Sequence, residues 1–94
     1  MTQLQFVWDE SKNKENRKKH GISFEEAKTI FYDENTVEFY DLGHSEQEDR
    51  FLMLGCSANF HMLLVCYCYR EKESLIRIIS ARKATRKEQK EYWR

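Results

Sequence analysis

"RFLMLGCSANFHMLLVCYCYR", Arg50 to Arg70, reads as two strands laid back to back. Apolar and aromatic residues crowd both halves, and the intervening "ANF" is long enough only for a tight connection. "RFLMLGCS" (Arg50–Ser57) and "HMLLVCYCYR" (His61–Arg70) should therefore pair as an antiparallel hairpin. Toward the C-terminus, "EKES" turns the chain into a further strand, "LIRIIS" (Leu75–Ser80). Toward the N-terminus, the polar turn "GHSEQED" leads back to "TVEFYDL" (Thr36–Leu42), and "QFVW" (Gln5–Trp8) is a short β-type run ended by Asp9.

Helical signals lie outside this block. "DESKNKENRKKHG" reads as a polar helix stopped by Gly21, with cations in its last turn that suit the negative end of the helix dipole. "ISFEEAKTIFYD" restarts at once. Ser23 and Glu26 have capping-box spacing, and Phe24, Ala27, Ile30 and Phe31 form an apolar stripe. Thr85 and Glu88 give a second capping box, which opens "RKEQKEYWR". The order β–α–α–β–β–β–β–α predicts a two-layer α+β domain over residues 1–94, an antiparallel sheet of four to five strands with helices packed on one face. Side chains on the other sheet face are then free to meet a ligand.

Composition narrows the chemistry. Ninety-four residues make one domain of modest core, with a formal net charge of zero. That balance hides segregation. Lys12, Lys14, Arg17, Lys18 and Lys19 precede His20 with only Glu15 among them. Glu25 to Asp49 holds nine acids and one base, Lys28, whereas Arg77 to Arg94 holds seven Lys or Arg and two acids. Basic ends attract polyanions, and an acidic middle repels them. Cys56, Cys66 and Cys68 show no metal-ligand spacing, and Cys66 and Cys68 point parallel on one strand, so they read as small buried hydrophobes of a reducing compartment. No signal peptide and no membrane-length apolar run is read in the chain, which predicts a soluble, cytoplasmic protein. There is no glycine-rich phosphate loop, G-x-S-x-G elbow or H-E-x-x-H, so no cofactor or metal is expected.

What remains is a set of cations. Arg77 interrupts the strand "LIRIIS", and Arg82 and Lys83 follow in the loop leading to the last helix. Arg50 opens its strand two residues after Glu48. Guanidinium groups hold phosphates bidentately, and several converging on one place suit a phosphodiester. The competing reading of Arg77 is an internal ion pair with Glu48, Glu38 or Asp41. Lys19 and His20 close the first helix, where His20 can carry a proton or cap the helix end. Tyr92 and Trp93 stack on bases or pack the last helix onto the sheet.

Three blocks, "FVWDESKNKENRKKHGISFEEA" (Phe6–Ala27), "EDR" (Glu48–Arg50) and "IRIISARKATRKEQKEYW" (Ile76–Trp93), resemble the BrnT toxins of bacterial type II toxin–antitoxin systems. The patterns W-D-x-x-K-x-x-x-N-x-x-K-H-G-x-S-F and R-I-I-S-A-R-x-A-T carry the resemblance. It implies a RelE-like fold and a metal-independent ribonuclease that blocks translation. It also implies a BrnA-type antitoxin that neutralises the toxin and binds the DNA operator. Cleavage through the ribose 2′-OH follows as an expectation. Arg50, Arg77, Arg82, Glu48 and His20 are then the candidate catalytic residues, with Lys19, Lys83 and Tyr92 binding substrate. A non-catalytic nucleic-acid-binding or antitoxin-binding module with the same basic surface is the alternative.

Overall fold

The computed structural model describes residues 3–94. Strands β3 (Phe51–Cys56) and β4 (Met62–Arg70) form the expected hairpin, with Phe51 opposite Tyr67 and Cys56 opposite Met62. β5 (Lys72–Lys83) lies antiparallel on the other side of β4, and β2 (Val37–Tyr40) lies antiparallel to β3. β1 (Gln5–Val7) completes a five-stranded sheet in the order β1-β5-β4-β3-β2. The β1–β5 pair is parallel, so the sheet is mixed at this edge. Antiparallel pairing is imposed by short hairpin connections, and β1 and β5 are joined by nearly the whole chain.

α1 (Glu10–His20) and α2 (Phe24–Ala27), the latter continued by a 3₁₀ turn over Lys28–Tyr32, cover one sheet face. Phe24, Ala27 and Ile30 of this layer, with Ile22 from the link between α1 and α2, meet Leu63, Val65, Tyr67, Ile76, Ile78 and Ala81 in the main core. α1 itself offers no apolar face. It is held by two buried asparagines instead: Asn13 Oδ1 accepts from the Phe24 amide at 2.8 Å, and Asn16 grips the backbone of Ala81. β1 reaches β5 only at Leu75–Arg77, so Ala81 has a free outer edge. Asn16 Nδ2 donates to the Ala81 carbonyl at 2.8 Å and its Oδ1 accepts from the Ala81 amide at 3.1 Å, much as a neighbouring strand would. α3 (Arg86–Tyr92) packs on the opposite face, where Tyr92 adjoins Leu54, Leu64 and Ala84. The helices therefore occupy both faces, α3 covering only one end of the second.

Two capping boxes were expected, and one forms in full. Thr85 Oγ1 accepts from the Glu88 amide, and Glu88 accepts from the Thr85 amide at 2.8 Å. At α2 only the Ser23 half forms, because Glu26 turns to Ser57 and His61 at 2.6 and 2.7 Å. The tight turn between β3 and β4 is thereby tied to α2. Gly55 lets the 3₁₀ turn approach β3; a Cβ there would sit 2.7 Å from Thr36 and 3.1 Å from Ile30.

One irregularity positions the site. Cys66 pairs with Ser80 but Tyr67 pairs with Ile78, so Ile79 is an extra residue in β5. Arg77 and Arg82 are five apart and would face opposite sides of a regular strand. The bulge restores their parity. Arg77 lies opposite Cys68, Ser80 opposite Cys66 and Arg82 opposite Leu64, all on the face away from α1 and α2. Arg82 and Lys83 belong to the strand, and not to a loop, because β4 is long enough to pair with both.

Candidate functional site

The uncovered part of this second face holds two adjoining shallow cavities of about 430 Å³ each. His44 and Arg50 line both and form the wall they share. On one side Arg50 is joined by Arg82, His20 and Asp41 above a floor of Leu52, Leu64 and Cys66. On the other it is joined by Arg77 and Glu48.

Glu48 links two of the arginines. Its Oε2 lies 3.3 Å from Arg50 Nε and 3.5 Å from an Arg77 terminal nitrogen. Two guanidinium groups share one carboxylate, leaving one uncompensated positive charge, and all three side chains remain about 30% exposed. Charge-assisted contacts of this kind fix the guanidinium planes while leaving donors for a ligand. Of Glu48, Glu38 and Asp41, it is Glu48 that lies within ion-pair distance of Arg77 among the described residues.

Arg82 is held differently. It makes a bidentate pair with Glu88, at 2.8 and 2.7 Å. The hydrogen bond from Arg82, with that from the Thr85 amide, outweighs burial and holds the Glu88 carboxyl down at about 2. The same hydrogen bond pushes the Arg82 pKa up. Arg82 thus enters the basin with its orientation set by the cap of α3.

The sequence "GHSEQED" (Gly43–Asp49) predicts a flexible polar turn, and the structure shows it pinned between Asp41 and Arg50. The Asp41 amide donates to the Arg50 carbonyl at 2.9 Å. Ser45 Oγ donates to the Asp41 carbonyl at 2.6 Å and accepts from the Arg50 amide at 3.0 Å. His44, in a short 3₁₀ turn, sets Nδ1 against both oxygens of Asp41 at 3.1 and 3.2 Å. A histidine steered by a carboxylate is a standard general-acid–base arrangement. Sequence reading missed it; the D-x-x-H spacing was the available signal, but only the closed loop turns it toward the arginines. His20 arrives from another direction, since the Asn16 clamp on Ala81 leaves the end of α1 beside Arg82.

The other expected substrate contacts lie outside this basin. Tyr92 donates to Asp33 at 2.7 Å, and that bond raises the tyrosine pKa. It fastens α3 to the segment before β2. Lys83 borders a separate groove with Phe60 and Trp93, and Lys19 is exposed on α1. Cys66 forms part of the floor, where burial pushes its thiol pKa up. Cys66 and Cys68 are buried free thiols. Among the described residues no three His, Cys, Asp or Glu side chains converge as a metal site, and no helix is long and apolar enough to cross a membrane.

Comparison with known proteins gives the basin a context. The family model described as the ribonuclease toxin BrnT of type II toxin–antitoxin systems matches residues 8–88. The fold is similar to the crystal structure of the Brucella abortus ribonuclease toxin BrnT, with a TM-score of 0.68 and 21% sequence identity. That match covers 88% of this chain and 99% of the Brucella chain, and at this identity it speaks to the fold. No curated protein matches the chain.

Proposed function

The chain belongs to the BrnT family of ribonuclease toxins of type II toxin–antitoxin systems, and from that premise we propose that it cleaves RNA in the basin around Arg50. Family membership brings with it an RNA substrate and an antitoxin partner. The observation that carries the assignment is the position of Arg50 in the wall of two adjoining cavities, with Arg77 on one side and Arg82 on the other. A scissile phosphate set against Arg50 meets further cations along the strand in both directions.

The reaction is in-line attack by the ribose 2′-OH. The 2′ oxygen gives its proton to a base as it bonds to phosphorus. The bond from phosphorus to the 5′ oxygen breaks, and that oxygen takes a proton from an acid. Arg50, Arg77 and Arg82 stabilise the charge that builds on the phosphorane. His44, steered by Asp41, is the base, and His20 is the acid. Glu48 orients Arg50 and Arg77. The products are a 2′,3′-cyclic phosphate and a free 5′-hydroxyl. Loss of cleaved message accounts for inhibition of translation. Neutralisation falls to a BrnA-type antitoxin that covers the basin with an acid-rich segment and holds the complex on its DNA operator.

End-group analysis of cleaved RNA tests the chemistry. Cyclic phosphate ends, no cutting at a site carrying a single 2′-deoxyribose, and undiminished activity in chelator support it. Equal cleavage of DNA, or 3′-hydroxyl products, would overturn it.

A further inference from the structure

We propose that the groove between Phe60 and Trp93 is a nucleobase-stacking subsite for the RNA strand as it leaves the arginine basin. The proposal rests on the ribonuclease reading above and adds where, and through what contacts, the substrate continues.

Phe60 is the starting observation. It sits in the turn between β3 and β4 with φ +64°, and it is 88% exposed. A bulky residue in the left-handed region costs backbone energy that Gly or Asn would avoid. A ring left in water gains nothing from burial in return. Neither the turn nor the core accounts for phenylalanine here. A ligand that covers the ring does.

Trp93 stands on the other side of a groove of about 480 Å³ and is 74% exposed. It is well anchored for an exposed side chain. Tyr92 meets it edge to face at 4.8 Å, and the Tyr92 hydroxyl is fixed on Asp33. Met62 and Ala84 line the groove between the two rings, together with His61 and Lys83. Among the described residues no ion pair engages Lys83. Exposed aromatics beside an uncommitted cation are the recurring means by which proteins hold single-stranded nucleic acid.

The groove also lies close to the basin. Leu64 and Arg82 line the arginine cavity; Met62 and Ala84, each two residues away in sequence, line this one. The Ala84 amide donates to the Met62 carbonyl at 2.8 Å, which prolongs the strand pairing. Two strand residues span about 7 Å, a distance bridged by roughly one or two nucleotides of single strand. The Lys83 ammonium at the rim favours a polyanion over an apolar protein segment as the occupant.

The test uses chemically synthesised protein and an uncleavable 2′-O-methyl oligonucleotide. In a Trp8→Phe background Trp93 is the sole tryptophan, and its emission should be quenched when the oligonucleotide binds. An abasic oligonucleotide of the same length should bind without that quenching. Phe60→Ala and Trp93→Ala should each raise KM for RNA about 10-fold and leave kcat unchanged. Emission unaltered by bound oligonucleotide, or KM unaltered in both variants, would overturn the subsite while the wild type still cleaved RNA. A wild type that cleaved no RNA would instead remove the reading beneath it. Variants with normal RNA kinetics that escaped neutralisation by the antitoxin would show the groove to be a protein-docking surface, and the proposal would be wrong.

Discussion

One oxygen of Glu48 faces Arg50 at 3.3 Å and Arg77 at 3.5 Å, so a single substitution there releases two cations at once. Removing the carboxylate also adds net positive charge to the basin, which strengthens attraction for any polyanion. The two effects act on different constants. Glu48→Gln should lower kcat by about 10- to 100-fold while an uncleavable RNA binds as well as before or more tightly. Steady-state kinetics beside a binding titration checks this split. A general base at this position would behave differently, since its loss would remove the low-pH limb of the rate profile. Single residues explain several expectations that the structure revised. The charge run Lys12–His20 hid Asn13 and Asn16, whose buried carboxamides do the packing that an apolar stripe does elsewhere. Glu26 looked like half of a capping box by spacing. Burial opposes its charge, yet hydrogen bonds from Ser57 and His61 outweigh burial and keep its carboxyl below the ordinary value.

At the scale of elements, local signals carried most of the outcome. The hairpin, the flanking strands and the stop at Gly21 were legible because alternation and turn residues act over a few positions. The parallel edge strand and the bulge at Ile79 were not, since both follow from which strands become neighbours. The bulge matters most for function: it alone reconciles the odd spacing of Arg77 and Arg82 with a shared face. α3 adds a second coupling, because Glu88 caps the helix and holds Arg82 together. Its carboxyl titrates at about 2 in the fold, against an ordinary 4.5. The pair therefore contributes stability that is fully present above pH 4.5 and is lost as pH falls toward 2. A depression of this size corresponds to about 3 kcal/mol, reduced to about 1 kcal/mol for a solvent-contacting pair. Glu88→Gln should cost that amount at neutral pH in chemical denaturation, and the gap to wild type should close near pH 2.

For the molecule as a whole, the segregated charges resolve differently from the expected two-sided field. Of the nine acids from Glu25 to Asp49, seven are engaged inside the fold. Glu25 binds Asn13, Glu26 binds Ser57 and His61, and Asp33 binds Tyr92 and the Cys56 amide. Glu38 accepts from Tyr67 and Tyr69, Asp41 steers His44, Glu48 joins two arginines, and Asp49 accepts from Tyr40. The acidic middle is wiring rather than a repelling surface. Burial and the Glu38 carboxylate together push the Tyr67 pKa up, so that tyrosine stays a neutral donor. Composition revealed the charges, but only the assembled sheet decides which of them remain available to a ligand. Those that the second face brings to the basin are Arg50, Arg77 and Arg82. The decisive measurement is kcat/KM on one RNA substrate for Arg50→Ala, Arg77→Ala and Arg82→Ala beside Arg94→Ala, whose cation lies 78% exposed against Glu91. The three basin variants should each lose about 100-fold or more, with Arg94→Ala close to wild type. A uniform small loss across all four would reduce the arginines to general electrostatic attraction and contradict the basin as the catalytic centre.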